Sequence, residues 1–382
     1  MNTQQALEGI RIAEFGSYAA GPHIGKMLAN FGATVVHVES RAHPDGFRMQ
    51  YPPYKDGKPG IDSSGCFAYF NDSKLGITLD LKNPKGVELA RRLVAGSDVV
   101  IENMRPGVMA RIGLGFETLK SLNPALIMLS SCNMGQTGPR ADTPGFGSQL
   151  TALAGMANLT GVHDGPPMLL YGPYIDFIAS TLGAVAVLAA LEQRRATGKG
   201  AYLDVSQYES GLLFLAGELF DYHTSGRVAG RVGNDDPDAM PHGAFPCKDG
   251  GWVALSCWSD AERSRLRKLI GKKTLADWTA ARTPAEAAKE LQAAGVHAHA
   301  VNTIGDLFTD PQLAARGQWH RRVHEVIGEH AYCGPAFRLS ETPGAVTTAA
   351  HTLGRDNAKV FRGLLGLSEE EYGAYDAAGA FA

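Results

Sequence analysis

Gly9-Ile-Arg-Ile-Ala-Glu-Phe15 is an apolar run of strand length, and Gly21-Pro-His-Ile-Gly-Lys-Met-Leu-Ala-Asn-Phe31 is a run of helical length with Pro22 in its first turn. Gly32 follows as a helix stop, and Ala33-Thr-Val-Val-His-Val-Glu39 reads as a second buried strand. Strand, helix, glycine and strand in this succession make a βαβ unit, which predicts a parallel sheet. Ligands of such sheets bind beyond the carboxyl ends of the strands. That places Gly16-Ser-Tyr-Ala-Ala-Gly-Pro22 and Glu39-Ser-Arg41 at a site-forming edge. The Gly-x-Gly-x-x-Gly and Gly-x4-Gly-Lys-Ser/Thr phosphate motifs are absent from the chain's first βα turn.

Working outward, residues 42–65 are rich in Gly, Pro, Tyr and Asp and read as a long excursion. Strands are predicted at the end of 70–81, over 98–102 and over 125–131. Helices are predicted over 84–95, 108–112 and 116–122, so α and β alternate through the first half. Tyr171-Gly-Pro-Tyr-Ile-Asp-Phe then leads into a small-residue apolar run, 178–191, read as a helix buried in the middle of a large domain and too short to span a membrane. Asp176, at its start, is the only charge between Asp164 and Glu192. A carboxylate there reads either as a helix N-cap or as a nucleophile that free N–H groups and the helix dipole keep ionised. Further on, a strand over 201–206 and a helix over 208–220 precede a Gly/Asp/Pro/Arg-rich linker or lid, 224–250. A strand over 251–257, helices over 259–270, 274–281 and 284–294, a strand over 297–302 and a helical tail over 353–377 complete the reading. The expected domains are 1–224, a smaller α+β domain over 225–325, and a return to the first over 326–382.

The 382 residues are 44% hydrophobic and 20% charged, with a net charge of −3, so no global basic field argues for nucleic acid. The first eight residues have neither a basic nor an apolar region, so no secretory leader is expected. Five scattered cysteines without a Cys-x-x-Cys pair predict reduced thiols in a cytoplasmic protein. No metal site is expected, because neither close histidine pair, His297/His299 or His320/His324, has an acidic ligand motif beside it.

Several stretches, in this order, resemble the family III CoA-transferases. They are Leu7-Glu-Gly-Ile-Arg-Ile12 with Ala20-Gly-Pro22 and Leu28-Ala-Asn-Phe-Gly-Ala-Thr-Val-Val-His-Val-Glu39; Asn71-Asp-Ser-Lys-Leu-Gly-Ile-Thr-Leu-Asp-Leu81; and Glu102-Asn-Met-Arg-Pro-Gly-Val-Met-Ala-Arg-Ile-Gly-Leu-Gly115. Gly135-Gln-Thr-Gly-Pro139, Asp176, Gly198-Lys-Gly200, Phe245-Pro-Cys-Lys-Asp-Gly-Gly-Trp252 and Asp310-Pro-Gln-Leu-Ala-Ala-Arg316 continue the set. The resemblance implies an α/β fold: a Rossmann-like large domain with a smaller α+β domain, in an intertwined, interlocked homodimer. It implies that Asp176 attacks an acyl-CoA thioester to give a mixed anhydride, which free CoA converts to an aspartyl-CoA thioester before an acceptor acid reverses the sequence. No permanently bound cofactor is implied; coenzyme A and acyl-CoA are substrates. By position, CoA contacts fall on Ser17, Tyr18, Arg41, Lys74, Asn103, Met104 and Arg111, with the three cations as phosphate ligands. Gly135, Gln136 and the Ser17–Tyr18 turn are the candidates for oxyanion stabilisation.

The same fold hosts α-methylacyl-CoA racemases, whose catalytic histidine would fall on Phe146; a phenyl ring carries no proton, which argues against racemase chemistry. His163 and His242 match no racemase motif. A third reading is a subunit of a hetero-oligomeric CoA-transferase. The aromatic run 51–70 looks more like members acting on larger or aryl-bearing acids, such as benzylsuccinate CoA-transferases. An apolar or dicarboxylic acceptor with succinyl-CoA as donor is expected.

Overall fold

The computed structural model describes residues 5–382; residues 1–4, part of the stretch read for a leader, lie outside it. The chain forms two compact units, one of residues 5–154, 170–216 and 316–382, the other of 155–169 and 217–315. The second unit therefore includes a stretch before Asp176 as well as the lid, and it ends ten residues earlier than the expected 325.

The first unit is built on β1 (Arg11–Phe15), α1 (Ala20–Ala29), β2 (Thr34–Glu39), α2 (Gly65–Asn71), β3 (Leu75–Thr78), α3 (Pro84–Ala95), β4 (Val99–Glu102), α4 (Val108–Arg111), α5 (Phe116–Leu122), β5 (Ile127–Cys132) and α6 (Gly147–Leu153). After the second unit's α7 (Met156–Leu159) come α8 (Tyr174–Thr197), β6 (Ala201–Ser206) and α9 (Gln207–Leu212). Six parallel strands lie in the order β3-β2-β1-β4-β5-β6, the doubly wound arrangement. Strand alternation explains the layers. Ile12, Val35, Val99, Ile101, Ile127 and Leu129 face α1 and α8. Ala13, Val36, Val38, Val100 and Met128 face a second core, which Leu89, Leu93 and the C-terminal Val360, Phe361 and Tyr375 complete. The antiparallel hairpin β10 (Trp319–His324) and β11 (Gly328–Cys333) and the last helix, α16 (Glu369–Ala377), also belong to this unit.

Helix α8 is longer than the run that predicted it, 24 residues rather than 14. By length and composition alone it is long and apolar enough to cross a membrane, where the run 178–191 by itself reads as too short. Its packing accounts for that composition. Ala179, Ser180, Gly183, Ala184, Val187 and Ala190 form a buried small-residue stripe against α1 and the sheet. A Cβ on Gly183 would come within 2.7 Å of Ile24 Cδ1, so the close helix crossing needs a glycine there. The opposite face is not buried: Tyr174, Val185 and Leu188 are exposed, so the expectation of a helix buried in the middle of a large domain holds for one face of it.

The second unit holds α10 (Ala216–Ser225, but for its first residue), an antiparallel sheet of β7 (His242–Pro246), β8 (Trp252–Ser256) and β9 (His297–Ala300), and helices α11 (Asp260–Ile270), α12 (Leu275–Ala280), α13 (Pro284–Ala293), α14 (Ile304–Leu307) and α15 (Pro311–Ala315). Val253, Leu255, Leu266, Trp278 and Leu291 form its core.

Candidate active site

Asp176 is the third residue of α8. The cap position is Pro173, whose side chain accepts nothing, so the N-cap reading of Asp176 is corrected. Its backbone N–H donates to Pro173 O at 3.0 Å, and the carboxylate turns into a cavity of about 670 Å³ lined wholly by first-unit residues. Oδ2 rests against the Cα of Gly147, the first residue of α6: a Cβ there would lie 1.9 Å from Oδ2 and 2.9 Å from Pro173 Cβ. The φ of Gly147 is not in the left-handed region, so this glycine is required for space and not for backbone conformation. Gly147→Ala is expected to displace the carboxylate and lower kcat about 100-fold, since small misplacements of a reacting group cost that much. A folded variant turning over within about twofold of wild type would contradict it.

Burial pushes the Asp176 carboxyl up to about 7, and only its own backbone N–H pulls the other way. The expectation of a carboxylate held ionised by its helix is therefore corrected, because no cation faces it closely enough to offset desolvation. The free enzyme's kcat/KM is expected to rise with pH through an ionisation near 7 and level off above it. A profile flat across that pH would contradict Asp176 as the nucleophile.

The walls are aromatic: Tyr18, Phe47, Tyr51, Tyr69, Phe70, Phe146 and Phe177. The Tyr18 ring meets Phe47, Tyr51 and Phe146 edge-on, with centroids 5.4, 6.3 and 5.7 Å apart. Tyr18 has a φ of +61°, held by its N–H on the Asp45 carboxylate and its hydroxyl on Gln50 Oε1. Its ring fills the space a side chain would take at Gly46. The Gly/Pro/Tyr-rich excursion is thus an ordered wall. Arg48 anchors it, buried, with Nε and Nη2 on Glu39 at 2.8 and 2.7 Å, Nη1 on Asp62 at 2.7 Å, and its guanidinium 3.6 Å from the Phe67 ring centroid. His37, Glu39 and His351 bring possible metal-ligand atoms within 4.8 Å of one another, but the Arg48 cation already takes both Glu39 oxygens.

Of the sequence-predicted contacts, Tyr18, Asn103 and Met104 line the cavity. Ser17 stands behind them: its N–H donates to Asn103 Oδ1 and its carbonyl accepts from Asn103 Nδ2, at 2.8 and 2.9 Å. Lys74 does not reach the cavity. It is 1% exposed, and Nζ donates to Glu14 Oε1 at 2.8 Å, Pro22 O at 2.8 Å and Asn71 Oδ1 at 2.9 Å. All three ammonium protons are used, so its reading as a phosphate ligand is corrected. Burial raises the Glu14 carboxyl, but Lys74 and His37 outweigh this and hold it below its usual range. Arg41 and Arg111 are exposed and lie outside the cavity wall, beside Gly354 and Gly107 respectively.

The oxyanion candidates are corrected too. The N–H groups of Ser17 and Tyr18 are bonded to Asn103 and Asp45. Gln136 N–H is bonded to the Asp204 carboxylate at 3.0 Å. Neither Gly135 nor Gln136 lines the cavity. The sequence reading missed Gly147, Arg105, the one cation among the lining residues, and Gln207, whose nearly buried side chain also lines it. A signal for Arg105 existed in its place beside Asn103 and Met104; nothing local marked Gly147 or Gln207. No histidine lines the cavity among the described residues.

The family model described as CoA-transferase family III matches residues 7–357. The chain is 34% identical to the succinyl-CoA–D-citramalate CoA-transferase of Chloroflexus aurantiacus, over 96% of this chain and 95% of the relative. It is also 34% identical to the alpha subunit of a succinyl-CoA–L-malate CoA-transferase of Chloroflexus aurantiacus, over 96% of this chain and 91% of that subunit. Among solved structures, a CaiB/BaiF family protein from Brucella suis superposes with a TM-score of 0.87 at 29% identity, covering 95% of this chain and all of that one.

Proposed function

The chain belongs to CoA-transferase family III and is a CoA-transferase; from that premise we propose that it moves CoA from succinyl-CoA to a dicarboxylic acid through covalent intermediates on Asp176. The observation that carries this reading is that, among the described residues, Asp176 is the only carboxylate lining a cavity walled in part by aromatic rings. An ionised Asp176 there is poorly solvated and therefore a strong nucleophile toward a bound thioester. Attack gives the mixed anhydride and CoA thiolate. The thiolate returns to Cγ of Asp176, releasing the donor acid and leaving the aspartyl thioester. The acceptor carboxylate then attacks Cγ, and the thiolate takes the acceptor's acyl carbon. The walls of Tyr18, Phe47, Tyr51 and Phe146 keep water from hydrolysing the anhydride.

In this reading Asn103 and Met104 flank the pantetheine arm, and the exposed Arg105 and Arg111 meet the phosphates at the mouth. The names of the relatives support succinyl-CoA as donor and a dicarboxylate as acceptor. A second copy of the chain covers the exposed apolar residues Tyr174, Val185, Leu188, Leu213 and Phe214, which gives a homodimer. The alternative is a related partner subunit, as the alpha-subunit relative suggests. Five free cysteines suit a cytoplasmic enzyme.

The test is turnover by the purified chain with succinyl-CoA against citramalate, malate, benzoate, oxalate and formate. Transfer to the dicarboxylic hydroxy acids is the expected result. Use of benzoate or formate alone would overturn the proposed acceptor class.

A further inference from the structure

One strap of the cavity wall is fastened to the rest of the first unit by few bonds. Ala141, Thr143, Pro144, Gly145, Phe146 and Gly147 all line the cavity, while Thr143 and Pro144 are also exposed to solvent. The backbone bonds within the strap are short-range: Ala141 N–H donates to Gly138 O at 3.2 Å and Thr143 N–H to Arg140 O at 2.9 Å. Among the described residues, the hydrogen bonds that tie 140–145 to the sheet come from one side chain. Asn133 Nδ2 donates to Gly145 O at 3.1 Å and to Thr143 O at 3.4 Å. Asn133 follows directly on β5, and its own carbonyl accepts from Tyr208 N–H at 2.9 Å, so the clamp stands on the sheet edge. The Arg140 guanidinium, 5.8 Å from the Tyr208 ring centroid, brings the start of the strap to the same place.

The strap ends in two residues that bear on the chemistry. The Phe146 ring, half exposed, stands against Tyr18 between the cavity and solvent, and Gly147 packs on the Asp176 carboxylate. We propose that Asn133 is a positioning residue: its amide holds the strap closed beside Asp176 and so reserves the mixed anhydride for CoA rather than water. The proposal rests on the covalent reading of Asp176 given above and adds what keeps water from the intermediate.

Two backbone carbonyls can be met only by donors, so the position requires an amide nitrogen with its two hydrogens. A carboxylate of the same shape would turn lone pairs toward both carbonyls. Once released, the strap carries Phe146 off Tyr18 and opens the wall next to Asp176. The oxygen of water then bonds to the succinyl carbonyl carbon of the anhydride, and the bond from that carbon to the Asp176 oxygen breaks. Succinate and the free Asp176 carboxylate result; one proton of the water goes to the CoA thiolate and the other to solvent. The net reaction is hydrolysis of succinyl-CoA without transfer. Losing a clamp worth about one net hydrogen bond raises the open population about tenfold.

The experiment gives succinyl-CoA and carbon-labelled succinate to wild type, Asn133→Ala and Asn133→Asp. Two rates are read in each sample: entry of label into succinyl-CoA, and net release of CoA thiol. Their ratio does not depend on how much of the sample is folded, so a merely structural role for Asn133 would leave it unchanged. The expected result is a hydrolysis-to-exchange ratio about tenfold above wild type for the alanine variant, and at least that for the aspartate variant. Phe146→Ala, which removes the ring and leaves the clamp, is expected to raise the same ratio, and it serves if the Asn133 variants do not fold. Unchanged ratios in the variants that fold would overturn the proposal and leave the covalent mechanism intact. Wild type that neither exchanges label nor forms a CoA adduct on Asp176 would remove the covalent reading, and the proposal with it.

Discussion

Asp176→Asn is expected to reduce turnover by a factor on the order of 10⁴ to 10⁶, the scale seen when a covalent nucleophile is removed. An amide can neither attack a thioester efficiently nor leave as a carboxylate, so residual binding energy cannot restore the reaction. The same substitution is expected to make the protein more stable at alkaline pH. The Asp176 carboxyl is raised from 3.8 to about 7 in the folded chain, so folding disfavours its ionised form. Stability associated with the protonated group is fully present below the unfolded value and is lost as pH rises through the folded one. Wild type therefore carries the whole cost above pH 7, on the order of 4 kcal/mol, while Asn carries none at any pH. Thermal unfolding of both proteins across that range should show a gap that widens with pH. A gap that stayed constant, or closed as pH rose, would contradict the buried-carboxyl account of the site.

Lys74→Ala is expected to cost about 3–5 kcal/mol, the usual penalty for breaking a buried ion pair on one side only. Glu14 would be left in the core with His37 as its remaining partner, at 2.6 Å, and the Pro22 carbonyl and Asn71 amide would each lose a donor. Against a total stability of about 5–15 kcal/mol this is a large loss, to be read as a lowered thermal midpoint and a lower soluble yield. Glu14→Gln added to Lys74→Met should recover part of it, since a neutral pair removes the unpaired charge. Had Lys74 been a phosphate ligand, its loss would instead raise the KM for CoA and leave the melting temperature alone. That outcome would restore the reading made from the sequence.

These two residues also mark how far the sequence was legible. The βαβ unit over 9–39 could be read because its signals are local: short apolar runs at β1 and β2, and a glycine shortly after α1. Helices α3 and α5 and strand β6 fall where their apolar patterns put them, α3 with Asn83 as its cap. Helix α2 was missed where the Gly/Pro-rich excursion ends, although Ser64 accepts from Phe67 N–H as an N-cap would. Strand β7 contains Gly243 and Pro246, poor strand formers that only pairing with β8 makes extended. The predicted helix over 208–220 is broken by a 3₁₀ turn at Leu213–Leu215. Asp176 was legible because it is the one charge in a long apolar stretch. Lys74 was misread because its partner, Glu14, lies sixty residues earlier on β1. Gly147 was missed because the carboxylate it seats comes from a helix beginning twenty-seven positions later. The free N–H groups expected at Ser17, Tyr18 and Gln136 were unreadable as occupied, since their acceptors, Asn103, Asp45 and Asp204, reach them only in the folded chain.

The most direct measurement is intact-protein mass spectrometry of wild type beside Asp176→Ala after mixing with succinyl-CoA and a panel of other acyl-CoA donors. A CoA-sized covalent adduct on wild type alone, mapped to Asp176, is the result expected. Equal adducts on both proteins, or no adduct with any donor together with α-proton exchange into deuterated water, would contradict Asp176 as the residue that carries CoA between the two acids.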